Sequence, residues 1–205
     1  ALRFRFVSRE TQQECVEFNA SEKLPENYRL KKGDVLLSQD YRYTYLGRNI
    51  GGWHISVKDP RKEEYESILS DIAGKPVTDM NQTFWYCTSL TTAPTIPNSV
   101  TNMSYTFSNC RSLTTVPDLP DGLIDMYHTF RDCKALTTAP KIPNSVTDMD
   151  YTFADCSSLT TAPDLPNGLT NMYATFRGCT SLTTAPVIPN SVTNMSGTFM
   201  DCKSL

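Results

Sequence analysis

Seven cysteines and two histidines are the side chains best suited to chemistry in this chain of 205 residues, and their spacing decides which chemistry is open. Cys87, Cys110, Cys133, Cys156, Cys179 and Cys202 recur every 23 residues, so on a repeating fold they make one column of parallel side chains. Neighbours about 4.8 Å apart along a ladder are close enough in Cα distance to be bridged, but a disulfide also needs Cβ vectors that converge. The column therefore reads as buried free thiols. No Cys-x-x-Cys and no clustered His accompanies it, as a zinc site would require. Cys15 lies outside the column between Glu14 and Glu17, whose charge disfavours a thiolate, and reads as inert. His54 falls on the polar side of an alternating segment and His128 at a variable position. With no Ser, Cys or second His at a catalytic spacing, both read as solvated surface residues. An enzyme would have to draw on Asp34, Asp40, His54 and Asp59, the one plausible polar set. No residue pattern calls for a catalytic group, a metal or a cofactor.

The threonines invite a different chemistry. Thr91-Thr92, Thr114-Thr115, Thr137-Thr138, Thr160-Thr161 and Thr183-Thr184 could form a hydroxyl array of the kind that matches ice. Adjacent residues of a strand point to opposite faces, so each pair should offer one exposed file and not the two such a surface wants. Thr83, Thr106, Thr129, Thr152, Thr175 and Thr198, each beside a Phe, read as structural, their hydroxyls satisfying backbone groups at a coil corner.

The elements that position these side chains follow from the period. Met80, Met103, Met126, Met149, Met172 and Met195 also stand 23 residues apart, each opening M-x-x-T-F-x-x-C-x-x-L. A constant period of this size means stacked copies of one supersecondary unit, a solenoid. Val or Leu at 100 and its copies, the Met, Phe and Cys columns, Leu90 and its copies, Ala or Val at 93 and its copies, and Ile or Leu at 96 and its copies are the inward positions. Segments such as Leu113-Thr114-Thr115-Val116 are the expected contacts from coil to coil, limited by the following Pro. Ile96-Pro97-Asn98-Ser99 and Leu119-Pro120-Asp121-Gly122 are turns, and their alternation points to a copied two-repeat unit of 46 residues.

Residues 1–58 alternate with period 2 at Leu2-Phe4-Phe6, Tyr41-Tyr43-Tyr45 and Trp53-Ile55-Val57, with weaker strands at Val16-Phe18 and 35–37, which predicts a small β-rich domain. Residues 59–76 predict a helix: Asp59 caps it, Pro60 opens it, Tyr65, Ile68, Leu69, Ile72 and Ala73 form an apolar stripe, and Gly74 and Pro76 end it. It would cover the first open end of the solenoid, residues 77–205, with about five and a half coils. The chain stops at Leu205 in mid-unit, so it is expected either to continue in a longer protein or to associate end to end through that open coil.

The net charge of −3 and the lack of any basic cluster exclude nucleic acid as a partner. No apolar run reaches the roughly 18 residues of a membrane span. The acidic surplus lies in the repeats, which hold Asp but no Glu.

S-V-T-N-M, T-F-x-x-C-x-x-L and L-T-T-A-P-x-I-P-N together resemble the BspA-like leucine-rich repeats of bacterial surface proteins, over residues 77–205. The departures are the Pro directly after Ala93 and its copies, and the short Met-x-x-Thr-Phe segment. The resemblance implies a mainly β protein with little helix, a leucine-rich-repeat solenoid of 23-residue coils that is extracellular or on the cell surface. It implies a non-enzymatic role in adhesion or binding, with a protein or glycan partner. Interface-forming residue types at the variable positions make Trp85, Tyr86, Tyr105, Tyr127, Arg131, Tyr151, Tyr173 and Arg177 the candidate partner-binding residues. The rival readings are a structural spacer without a partner on the repeats, and an enzyme with its site in the N-terminal domain.

Overall fold

The computed structural model describes residues 4–7, 12–19, 24 and 28–205; Leu2 and Arg3 of the first alternating segment lie outside them. Among the described residues seven strands form one sheet: β1 Phe4–Val7, β2 Glu14–Asn19, β3 Val35–Leu37, β4 Tyr41–Tyr45, β5 Trp53–Val57, β6 Asp71–Ile72 and β7 Lys75–Asp79, in the order β1-β2-β3-β4-β5-β7-β6. β2 runs parallel to β3 and β5 parallel to β7, and the other neighbours are antiparallel. The alternation in β4 and β5 puts Tyr41, Tyr43, Tyr45, Trp53 and Ile55 in the core and leaves Arg42, Thr44, His54 and Ser56 half-buried.

A self-standing β-rich unit and a capping helix are not what the chain builds. The sheet of β1 to β5 continues through β7 into the first coil, and Trp53, Ile55, Val77 and Met80 belong to one hydrophobic cluster with the repeat columns. The described residues contain no helix. Over 59–76 the backbone is caught by side chains of the sheet: the Tyr41 hydroxyl donates to the Glu66 carbonyl (2.8 Å), the Leu69 N–H donates to the Tyr43 hydroxyl (3.1 Å) and the Glu66 N–H donates to Asp40 (2.8 Å). Asp40 and the Tyr43 hydroxyl take N–H groups that a helix would give to i−4 carbonyls, and the Tyr41 hydroxyl stands in for an i+4 N–H, a tertiary override of local pattern. Ala73 and Gly74, both at positive φ (53° and 70°), close the β6–β7 hairpin, so Gly74 serves a turn and not a helix end. The first coil is covered by this extended segment, with Tyr65 edge-on to Phe84 at 5.2 Å, and by β5, whose Ile55 carbonyl accepts from Thr83 at 2.7 Å.

In the repeats, alternate N–H groups at 80, 82, 84 and 86 donate to the next coil, at Asn102, Ser104, Thr106 and Ser108, while those of Thr83 and Trp85 turn back three residues within the coil and that of Asn81 donates to the Asp79 carboxylate. This geometry places the second and sixth residues after each Met at positive φ, as in Gln82 (58°), Tyr86 (59°), Tyr105 (54°) and Asn109 (64°). The expected Thr-Thr contact exists as single parallel bridges (Thr92↔Thr115, Thr138↔Thr161, Thr161↔Thr184). A second column of bridges runs through Asp79, Asn102 and Asp125, and through Asp148, Asn171 and Asn194.

The inward columns are as the period requires at Met, Phe, Cys and Leu as far as Leu182 and half-buried at Val116, Ala139, Ala162 and Leu165, whereas Ala185, Met195 and Leu205, expected inward, are exposed in the last described coils, where stacking on one side is lacking. The Phe rings from Phe84 to Phe199 stack with centroids 5.3 to 5.8 Å apart and planes within 8°. Thr106 donates to the Met80 carbonyl of the preceding coil (2.8 Å), and Thr129, Thr152 and Thr175 repeat the bond. Ser99, Ser145 and Ser191 donate to the Val77, Leu123 and Leu169 carbonyls. Gly122 and Gly168 stand at the corresponding places of the other repeats, which gives the two-repeat alternation a chemical content.

Both threonines are exposed in the pairs 114–115, 137–138, 160–161 and 183–184, so two files face solvent rather than one. Strict alternation holds along a continuous strand, and these segments are single bridges between turns. The first file donates to the preceding coil, as Thr114 does to the Thr91 carbonyl (3.1 Å) and Thr183 to that of Thr160 (3.2 Å).

The six cysteines of the column are unbridged thiols, and Cys87 to Cys179 are buried. Each thiol from Cys110 to Cys202 donates to the Phe carbonyl of the preceding coil at 3.0 to 3.2 Å. Burial pushes the Cys87 thiol up to about 11 and that of Cys179 to about 12. We expect Cys87, Cys110, Cys133, Cys156 and Cys179 to resist labelling in the native protein at neutral pH and to react only after denaturation. Rapid native labelling of several thiols would refute the column.

Candidate functional site

The polar set of the N-terminal strands is dispersed. Asp34, fully buried, accepts from the Val16 N–H (3.0 Å), the Tyr28 hydroxyl (2.8 Å) and the Lys31 N–H (2.8 Å). Asp40 holds Lys62 and the Glu66 N–H, and Asp59 holds Arg61. His54 lies 3.3 Å from Asp79; burial works to raise the Asp79 carboxyl, but His54 and the Asn81 N–H outweigh it and leave it below the ordinary value. Each group is held by a structural partner of its own rather than turned toward a shared cleft. Cys15 is buried, its thiol donating to the Lys32 carbonyl at 3.3 Å. Among the described residues no three metal-ligating side chains are assembled, and no helix is long and apolar enough to cross a membrane.

The variable positions of the repeats do gather. An open trough of about 440 Å³ crosses four coils and is lined by Trp85, Tyr86, Tyr105, Arg111, Arg131 and Asp132, among others. Trp85 and Tyr86 are half-exposed and edge to face at 4.8 Å. Asp132 takes Arg111 at 2.9 Å and Lys134 at 3.4 Å, and Arg131 reaches Asp155 at 3.9 Å. Four of the eight sequence candidates thus line the trough. Tyr127, Tyr151 and Tyr173 extend from it as an aromatic file, Tyr105 meeting Tyr127 at 5.3 Å and Tyr151 meeting Tyr173 at 5.3 Å, with Arg131 over the Tyr151 ring at 5.5 Å. Arg177 is exposed and lies outside the trough. Arg111 and Lys134 went unrecognised in the sequence. They occupy the position after Cys, a variable column whose other members are Thr88, Ser157, Thr180 and Lys203.

His128 is not a surface residue. It is 5% exposed, stacked on Tyr105 at 4.8 Å and against Tyr151 at 4.6 Å. Burial, with help from Arg131, lowers its pKa to about 4. Unfolded, the imidazole titrates near its ordinary value of about 6.5, so the unfolded chain binds the proton first. Stability contributed by the neutral ring is complete above about pH 6.5 and is lost as pH falls toward 4, by about 2 to 3 kcal/mol. We expect the stability difference between the native chain and His128→Tyr, a residue found in the same column at 105 and 151, to change over this window and to be flat above pH 7. A difference that stays constant from pH 7 to 4 would refute the neutral stack.

A core of stacked Phe, Met, Cys and Leu columns, each recurring at one constant period, defines a leucine-rich-repeat solenoid. The sequence matches the model of the BspA type leucine rich repeat region in six copies over residues 79–205, and the chain belongs to that family. Among curated proteins no relative matches it. The structure is similar to a leucine-rich repeat protein of T. pallidum, with 24% identity and a TM-score of 0.59 over 82% of this chain and 89% of that one. It is also similar to a leucine-rich repeat protein from Bacteroides ovatus, with 19% identity and a TM-score of 0.65 over 82% of this chain and 45% of that one. At these identities the likeness concerns the fold.

Proposed function

We propose that the chain is a non-enzymatic binding module of the bacterial cell surface or exterior that holds a protein or glycan on the face containing Trp85, Tyr86, Tyr105 and Arg131. One observation carries this reading. Tyr86 occupies a left-handed position (φ 59°) where the later coils place Asn109, Asp132, Asp155, Gly178 and Asp201, residues that adopt that conformation at less cost. A bulky aromatic there, half-exposed and packed edge to face on Trp85 rather than on the core, carries strain, and strain of this kind concentrates at functional sites. The family supports a role in interaction or structure over catalysis.

Capture of solubilised cell-surface material by the immobilised chain tests the reading, with protease and periodate treatments separating protein from glycan ligands. Trp85→Ala with Tyr86→Asn should abolish capture while leaving stability unchanged or higher by about 0.5 to 1 kcal/mol. Equal capture by native and variant chains would place the ligand on another face, and no capture by the native chain would leave the spacer as the function.

A further inference from the structure

Resting on that binding role, we propose that the trough across Trp85, Tyr86, Asn109, Arg111, Asp132 and Lys134 is a site for a neutral oligosaccharide. Its volume of about 440 Å³ falls within the roughly 300 to 1,000 Å³ of small-ligand sites, which suits a few sugar rings and not a folded domain.

The charges select against an anionic ligand. Arg111 and Lys134 both sit on Asp132, whose side chain is only 15% exposed, and Arg131 faces Asp155. The three cations of the trough share two carboxylates, so its charge is nearly balanced and a single net positive charge is a weak field for a sulfate or a uronate. The same pairing holds donors and acceptors side by side in fixed positions. A sugar hydroxyl, which both donates and accepts, is the ligand group that uses such a set fully.

The aromatic wall supplies the other half of the recognition. Trp85 and Tyr86 meet edge to face at 77°, so one face of the pair is covered by its partner, and the rest of the two rings, about half exposed, offers aromatic surface to the C–H side of a pyranose. A peptide added as a strand has nowhere to pair, because the local backbone is already spent between coils: Tyr86 N–H donates to Ser108 and Asn109 N–H to Arg131.

Calorimetry on the full chain, with oligomers of glucose, mannose, galactose and N-acetylglucosamine as neutral probes and heparin as the anionic one, tests the proposal. At least one neutral series should bind and shift the emission of Trp85, since Trp53, the other tryptophan, lies in the core. Trp85→Ala should weaken that binding about tenfold or more, a loss of one anchoring contact. Asp132→Asn frees Arg111 and Lys134, so it should weaken the neutral probe and strengthen heparin. Circular dichroism checks that both variants fold. Failure of every neutral probe at millimolar concentration, undiminished binding by Trp85→Ala, or tighter binding of heparin than of any neutral sugar by the native chain would each overturn the proposal. If neutral probes fail while Trp85→Ala with Tyr86→Asn still abolishes capture of surface material, the sugar site falls and the binding role stands on a protein ligand.

Discussion

Phe130→Ala should destabilise the chain by about 3 to 5 kcal/mol, the range for a fully buried Phe. The Phe130 ring is inaccessible and lies between Phe107 at 5.6 Å and Phe153 at 5.4 Å, nearly parallel to both. Truncation removes two stacking contacts and opens a hole that only adjacent coils could fill, because each coil of a solenoid touches its neighbours alone. Those coils are pinned by the Thr129 and Cys133 bonds to the preceding carbonyls, so collapse into the hole is limited. Tyr127→Ala, by contrast, removes a ring that is 38% exposed. Its cost should be about 1 kcal/mol, the centre of the range for point substitutions that open no cavity. Denaturant unfolding of both variants decides the matter, with hydrogen exchange showing whether the loss centres on the coils next to Phe130. Equal losses would mean that the stacked Phe column is not the core.

The columns of that core were legible because a 23-residue period converts a one-dimensional pattern directly into stacked positions. Met, Phe, Cys and Leu are the same type in every copy, so their inward direction needs no tertiary information. What the pattern hid depended on contacts between different segments. The helix expected at 59–76 has an apolar stripe, a cap and a stop, yet the hydroxyls of Tyr41 and Tyr43 and the carboxylate of Asp40, all distant along the chain, take its backbone groups. His128 belongs to a column of Gln82, Tyr105, Tyr151, Ala174 and Gly197, whose variety reads as surface. The left-handed turn at that corner tucks the ring between two tyrosines, a direction no spacing argument on strands or helices contains. For the trough, residue type was enough to nominate Trp85, Tyr86, Tyr105 and Arg131. Their union with Arg111, Asp132 and Lys134 required knowing that the Cys corner turns those side chains onto the same face.

Gly52→Ala should be as damaging as the loss of a core Phe, at about 3 kcal/mol or more, although it adds a single methyl. Gly52 is buried immediately before β5 with φ at 90°, a region L side chains rarely enter. A Cβ there would lie 2.6 Å from the Pro76 carbonyl oxygen and 2.6 Å from the Thr78 hydroxyl, both on β7. Backbone on one side and a tethered side chain on the other leave no easy relief, so backbone strain and overpacking add. β5 and β7 are where the N-terminal strands join the first coil, through Trp53↔Val77 and the Thr78 hydroxyl donating to the Gly51 carbonyl at 3.2 Å. The substitution therefore pries apart the seam between the two parts of the chain. If the sheet and the repeats are one cooperative body, thermal unfolding of Gly52→Ala should show the whole transition moved to lower temperature, with near-UV signals of Trp53 and exchange in the first coils shifting together. A split into an early N-terminal transition and an unmoved repeat transition would show that the seam is loose and that the strands before β6 fold as a unit of their own.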